Sequence, residues 1–337
     1  MAGNATSWLN TITLPEFSDL VKKEFIFQNE SPKLRAAQLF NQLDLTSNNS
    51  DQKRFDEIDI GTFGKLMREG QNAAKTQSGV GYSKTMTAKR IAREIDISWN
   101  MRRYGNEYKV KSSLKSLTGF VNNRRDLDLT HRFTFASATS YVNMDGETVD
   151  ITTGDSLALA YSAHTLAHSA STYRNRVSGD PIFSQGGLEA AESLFVSDIY
   201  NNFGETRVIE PSHIVTSNDP NTVNTVRQIL ESTSDVDAAH SGVLNVNKGS
   251  YVHVILPYLA TTATGARDAT KRRYWFLVGV GMWQAYYGIF EATNMKDPAM
   301  GNNGEDFHND NWTYGTRGSH GIAVVVAKGI VASLPTS

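Results

Sequence analysis

His164 and His168 stand four residues apart, and on a helix that spacing would bring both imidazoles to one face, as a zinc site requires. The residues between them are Thr165, Leu166 and Ala167, so the carboxylate that acts as general base in the zinc-protease pattern is missing. In a stretch rich in Ser and Ala these histidines are expected to be hydrogen-bonded loop residues, and no metal is expected. Gly279-Val280-Gly281 follows an apolar strand pattern but leads into Met282, Trp283 and Gln284, without the third glycine and helix start of a dinucleotide site. Those glycines are expected to allow close backbone packing. Asp297, Glu305, Asp306 and Asp310 cluster with Asn302, Asn303, Asn309 and Asn311 and offer oxygen ligands for Ca²⁺, but their spacing is not that of a helix-flanked calcium loop. An acidic solvated or interface loop is the better expectation. The chain has no cysteine, which excludes disulfides, thiolate metal sites and a cysteine nucleophile. It also lacks a phosphate-binding loop and a glycine-flanked nucleophilic serine. No catalytic residue and no cofactor are expected, and the chain does not read as an enzyme.

If no reaction centre organises the 337 residues, charge and apolar pattern must indicate what does. The length suits one large or two modest domains. Formal net charge is -2, yet residues 53–125 hold 16 Lys or Arg against 7 Asp or Glu. Such a basic segment is either a solvated face or a surface that lies on something negative, an acidic neighbour or nucleic acid. Only 20% of residues are charged while Asn, Ser and Thr are plentiful, a composition that buries polar surface through hydrogen bonds and not ions. No basic stretch followed by an apolar run opens the chain, and no apolar run reaches membrane-spanning length, so neither a signal peptide nor a membrane partner is expected.

Along the chain, Ser31-Pro32 predicts a helix start, with Leu34, Ala37, Phe40 and Leu43 on one stripe ending near Leu45. Before it, Trp8, Leu9, Phe17, Phe25 and Phe27 lack a clear period and need a body to lie on, their own or another subunit's. Ile58 and Ile60, then Ile91, Ile95 and Ile97, alternate with polar residues and predict a two-stranded excursion over 56–98 with a small, polar tip from Gly70 to Gly81. A hairpin that long carries too little apolar surface to pack on its own domain. From Tyr104 to about Asn123 the period becomes helical, with Val110, Leu114, Leu117 and Val121 on one stripe and Lys109, Lys111 and Lys115 off it. Short strands are predicted at His131–Phe135 and Tyr141–Asn143, followed by a turn at Asp145-Gly146 and a helix over Gly187–Asn202 ended by Gly204. His213–Thr216 reads as a strand running into a helix capped by Asp219 with Pro220 at its first position. Val252–Leu256, Tyr274–Val280 and, as the last strand, Ile322–Val326 complete an α+β pattern without internal repeats.

Several segments together resemble the major capsid proteins of tailed bacteriophages with the Hong Kong 97 type fold, closest in pattern to Mu-type major head subunits. They are Ala160-Tyr161-Ser162-Ala163-His164 followed by Thr172-Tyr173-Arg174-Asn175, then Pro211 with the strand and helix after it. Val252-His253-Val254-Ile255-Leu256-Pro257-Tyr258-Leu259, Trp275-Phe276-Leu277-Val278 and Trp312-Thr313-Tyr314-Gly315-Thr316-Arg317-Gly318 follow in the same order. The resemblance covers about the last two thirds of the chain and is one of pattern, without an invariant motif.

The resemblance implies an N-terminal arm over 1–55, an extended E-loop over 56–98 and a P domain over 99–205 whose spine helix spans about 104–123. It further implies an A domain over 206–281, a return to the P-domain sheet over 282–325 and a C-terminal tail over 326–337. Such a protein self-assembles into hexamers and pentamers that form an icosahedral shell around double-stranded DNA, so it is found in the virion after assembly in the host cytoplasm. Its partners are copies of itself, packaged DNA bound non-specifically, and scaffold, portal and decoration proteins. On this reading Arg68, Lys75, Lys84, Lys89 and Arg90 belong to the E-loop interface between subunits, and Lys109, Lys111, Lys115, Arg124 and Arg125 face DNA from the spine helix. Some family members join an E-loop lysine to an asparagine of another subunit. Lys75 and Lys84 are the candidates here, but a loop-tip lysine is usually solvated and no such link is expected. The alternative to the capsid reading is a soluble nucleic-acid-binding or modifying protein whose basic segment is its binding footprint.

Overall fold

The computed structural model describes residues 16, 18–19, 21–23, 34–60, 63, 69, 72, 78–98, 100–101, 107–234, 244–281, 283–296 and 311–336. Helices and strands are mixed, and two four-stranded sheets organise them. Numbered in chain order, the first sheet contains β1 (Asn41–Asp44), β12 (Gln284–Lys296), β13 (Trp312–Val326) and β4 (Lys89–Ile97), side by side in that order. β1 runs parallel to β12, and the remaining pairs are antiparallel. The second sheet is ordered β10 (Val252–Ile255), β9 (His213–Thr216), β11 (Trp275–Val278) and β14 (Ile330–Ser333).

Period-two alternation along β11 sends its residues into two different cores. Trp275 and Leu277 pack with Ile214, Val331 and the apolar faces of α2 (Gln185–Ser197) and α3 (Pro220–Glu231). Phe276 and Val278 pack on the other side with Phe133, Trp283, Tyr287 and Val324, where the two sheets and the end of α1 (Glu107–Thr134) meet. Caps define the two shorter helices. Ser184 Oγ accepts from Gly187 N–H at 3.1 Å to start α2, and the Asp219 carboxylate accepts from Thr222 N–H ahead of Pro220 to start α3. No helix among the described residues is long and apolar enough to cross a membrane.

Several sequence expectations are corrected. α1 does not end near Asn123 but runs to Thr134, so His131–Phe135 is largely helical and not a strand. Its stripe continues through Arg125, Leu129 and Phe133, and an arginine in that row hides the period. The Thr130 and Thr134 hydroxyls satisfy themselves by bonding the carbonyls four residues back, which lets these strand-prone residues sit in the helix. Residues 31–33 lie outside the described set, but the stretch after them holds only one 3₁₀ turn, Ala36–Leu39, before β1 begins. Phe40 leaves that turn to meet Phe133 edge-on at 5.9 Å in the main core.

The return strand of the excursion is not 91–97. β2 (Gln52–Ile60) pairs with β3 (Ser78–Thr87), and β4 belongs to the first sheet against β13. Ala88 N–H bonding to Asp51 O closes the base of the hairpin and turns the chain from one sheet into the other. α2 stops at Ser197, so Ile199 is buried outside any helix and Gly204, at φ +82°, turns a loop. The expected tail after Val326 instead supplies β14, a buried strand beside β11 that is covered on its far side by Asn175–Val177.

Candidate functional site

The part of the molecule with the most polar chemistry is the base of the β2–β3 hairpin. Residues alternate along β2, so Phe55, Glu57 and Asp59 share one face. That face lies on the body of the same chain. Phe55 stacks on Tyr286 at 4.2 Å with the rings 9° apart, and Met86 of β3, paired with Lys53, is fully buried against Gly288 and Gly321. A side chain at Gly321 would come within 2.5 Å of Met86 Cγ, so the glycine is what lets β3 approach β13. Tyr82 extends the docking by bonding through its hydroxyl to Thr165 Oγ1 at 2.8 Å. The opposite face of the hairpin, with Arg54, Asp56, Thr85 and Thr87, is exposed.

Glu57 and Asp59 are buried, and charged partners meet them there. Lys328, in the turn between β13 and β14, reaches Glu57 Oε1 at 2.9 Å, Asp59 Oδ2 at 3.7 Å and Asn202 Oδ1 at 2.8 Å. Asp59 also accepts from Asn202 N–H at 2.8 Å and lies 3.5 Å from Arg207 Nη1. Two carboxylates thus face two cations, tying the hairpin to the β13–β14 turn and to the loop after α2. Any side chain at Gly81 would strike both Glu57 Oε2 and Asn202 Nδ2, so only glycine fits where β3 crosses the cluster. Sequence reading missed this cluster. The alternation of carboxylates with Ile58 and Ile60 was a signal that one face of the strand meets cations, but the lysine is 271 positions away.

Of the cations expected to be interface or DNA-facing groups, Lys84, Lys89, Arg124 and Arg125 are engaged within the chain. Lys84 bonds Asp150 and Thr152, each at 2.7 Å. Burial pushes the Asp150 carboxyl up, but hydrogen bonds from Lys84 and Thr152 prevail and hold it below the usual carboxylate range. Lys89 sits 3.4 Å from Glu147, and Arg90 is exposed. Arg124 pairs with Asp128 at 3.0 Å and Asp145 at 2.8 Å. Arg125 is a clear correction. It is 4% exposed, its guanidinium bonds Thr293 Oγ1 at 2.7 Å and Glu291 O at 2.8 Å, and burial lowers its pKa, so in this fold it faces β12 and not DNA. Arg68, Lys75 and the side chains of Lys109, Lys111 and Lys115 lie outside the described set. Lys84, Lys89, Arg124 and Arg132 line a cavity of about 200 Å³ together with His320, and Asp128 and Asp150 there offset part of the charge of the lysines and arginines.

His164 and His168 are not on a helix. They fall on β7 (His164–Leu166) and in the turn before β8 (Ser169–Tyr173), and they point to different partners. His164 Nδ1 is 2.7 Å from buried Asp155, whose other oxygen accepts from Thr153, and its ring stacks on Tyr173 at 4.8 Å. His168 stacks on Phe203 and bonds Val80 O at 3.2 Å, another tie from the body to β3. Among the described residues no His, Asp and Glu come together in a metal-binding group. Gly279 does pack closely, with Glu210 O only 3.1 Å from where a side chain would begin. The acidic stretch 297–310 lies outside the described residues.

No protein-family model and no curated protein matches the chain. Among solved structures it is similar to one titled the capsid of Myoviridae Phage XM1, at 11% identity over 92% of this chain and 94% of that one, with a TM-score of 0.49. It is also similar to one titled the capsid of Ralstonia phage GP4, at 14% identity over 89% of this chain and 88% of that one, TM-score 0.49. A third, titled the Cyanophage Pam1 capsid asymmetric unit, has 13% identity over 88% of each chain and a TM-score of 0.47.

Proposed function

We propose that this chain is the major capsid protein of a tailed bacteriophage, with the Hong Kong 97 type fold. Copies assemble into hexamers and pentamers, and these close into an icosahedral shell around double-stranded DNA. In this reading the β2–β3 hairpin is the E-loop, α1 the spine helix of the P domain, and the sheet containing β9, β10, β11 and β14 the A domain.

The observation that carries the reading is the hairpin. A sheet of two strands is marginal alone in water, and here it is held to its own subunit by one face through a buried ion cluster and a buried methionine. That arrangement fixes the base of a projecting element while leaving the other face free for a neighbouring copy. Apolar side chains support the same conclusion. Leu244 and Val246, in the loop after α3, and Val252 of β10 are 74%, 78% and 56% exposed, and among the described residues β10 is an edge strand of its sheet. Unpaired strand edges with exposed apolar residues favour association, and repeated contacts between identical subunits would cover them. The ordered segments from Ala160 to Gly318 that resemble the capsid family add sequence support.

The protein would then reside in the virion after assembly in the host cytoplasm, with scaffold, portal and decoration proteins as further partners. DNA contact falls to the lysines in the first half of α1, since Arg125 is buried and Arg124 is paired. Negative-stain microscopy of the expressed full chain tests the proposal. Closed particles or rings are expected; a stable monomer that binds nucleic acid would favour the soluble nucleic-acid-binding alternative.

A further inference from the structure

Glu57, Asn202 and Lys328 come from the hairpin, the loop after α2 and the β13–β14 turn, and they are 2%, 0% and 4% exposed. Lys328 Nζ stands 2.8 Å from Asn202 Oδ1 and 2.9 Å from Glu57 Oε1. Asn202 Nδ2 is buried and has no hydrogen-bond partner among the described residues. A buried amide nitrogen without a partner needs a physical explanation. Here it lies beside Glu57 Oε2, because both atoms crowd the spot that a Gly81 side chain would occupy. The amine, the amide and the carboxylate therefore form one buried triad, with the carboxylate touching the attacking nitrogen and lying near the one that would leave.

We propose that Lys328 and Asn202 become joined within a single chain by an amide bond between Nζ and Cγ, with Glu57 as the acid–base group. Glu57 takes a proton from the Lys328 ammonium, and the freed lone pair attacks Asn202 Cγ. Glu57 then returns that proton to Nδ2. As the tetrahedral carbon collapses, the Cγ–Nδ2 bond breaks, the nitrogen departs as ammonia, and Nζ passes its surplus proton to Glu57. One C–N bond forms, one C–N bond breaks, and no oxidant or co-reactant is needed. Positioning replaces external catalysis, since fixed neighbours inside a protein react as if at very high concentration.

Asp59 has a separate role as a positioning residue. It accepts the Asn202 backbone N–H at 2.8 Å and is itself 3.5 Å from Arg207, which fixes the loop that presents the amide. A cavity of about 10 Å³ bounded by Glu57, Tyr82, Tyr173 and Lys328 has room for about one water-sized molecule, such as the departing ammonia. The bond would close a covalent loop inside one subunit and lock the two body segments against which the hairpin base rests. It does not connect subunits, and it uses neither Lys75 nor Lys84.

Intact-mass spectrometry of the purified full-length chain under denaturing conditions tests this, followed by a peptide map. The expected result is a monomer lighter than the sequence by one ammonia, with a branched peptide joining Lys328 to Asn202. The full sequence mass in the wild-type chain overturns the proposal and leaves the triad as an ion cluster only. Loss of ammonia confined to one unbranched peptide also overturns it, because that marks an asparagine cyclised on its own backbone. A ladder of multimers carrying the loss would place the join between chains and likewise overturn it. Glu57→Gln, close in shape, is expected to retain the full mass. If it accumulates only in unfolded form, the wild-type measurement decides alone.

Discussion

Docking of the hairpin on its own chain can be tested through Met86 and Gly321, which meet where β3 crosses β13. Met86 is fully buried, and truncating such a side chain costs about 2–5 kcal/mol, of which we expect about 3 for Met86→Ala. Gly321→Ala places a methyl 2.5 Å from Met86 Cγ and 3.0 Å from Thr87 O, an overpacking worth about 2 kcal/mol. In the double variant the new methyl enters space that Met86 vacated, while its contact with the Thr87 carbonyl remains. Destabilisation should then fall short of the sum of the single values by about 1–2 kcal/mol, because the two substitutions share one volume. Urea unfolding of the unassembled chain at neutral pH, with the slope checked for constancy, measures all four corners of the cycle. Additivity within about 0.5 kcal/mol would refute the reasoning, since independent sites behave that way. It would mean that β3 does not rest on β13 in the free subunit.

Other outcomes follow from the same geometry. His131 is buried, edge-on to Phe135 and Tyr141, and burial pushes its pKa down to about 4 from a usual 6.5. The unfolded chain therefore binds the proton first as pH falls. Stability from neutral His131 is fully present above about pH 6.5 and is lost by about 3 kcal/mol on descending to pH 4; the difference between wild-type and His131→Leu unfolding free energies across that window should show the slope. Replacing 61–77 with a short Gly/Ser linker keeps β2, β3 and the ion cluster, so circular dichroism should show a folded subunit, while microscopy should find no stable shells. Changing Lys109, Lys111 and Lys115 together to Gln should leave empty-shell assembly intact and shorten the packaged DNA; failure of assembly would make these lysines interface groups. Asp219→Ala removes the α3 cap and should cost about 1 kcal/mol in thermal or urea unfolding.

Features whose signals are local were legible in the sequence. The strand at His213–Thr216, the Asp219 cap and Pro220 were read correctly because a strand pattern, a capping carboxylate and proline at the first helical position are decided by neighbouring residues. The apolar Trp275–Val278 run was read as buried for the same reason. What failed depended on distant parts of the chain. The end of α1 was hidden by Arg125, whose inward position makes sense only once Glu291 and Thr293 of β12 are beside it. Ser78–Thr87 has too many small and polar residues to announce a strand, whereas Ile91, Ile95 and Ile97 announce one without revealing that its partner is β13. Ile330–Ser333 is too short to announce a strand, and its burial comes from β11 on one side and Asn175–Val177 on the other. The ion cluster was illegible for the same physical reason, since each carboxylate, amide and cation looks solvated until the fold brings three remote segments together.

The central claim is that this chain builds a closed shell from identical subunits. The most direct test is a three-dimensional electron-microscopy reconstruction of the particles formed by the expressed full-length chain. The account predicts a hollow shell of five- and six-membered rings, with the hairpin base resting on its own subunit and its free face against a neighbour. Particles without such rings, or a chain that stays monomeric at all concentrations, would contradict it.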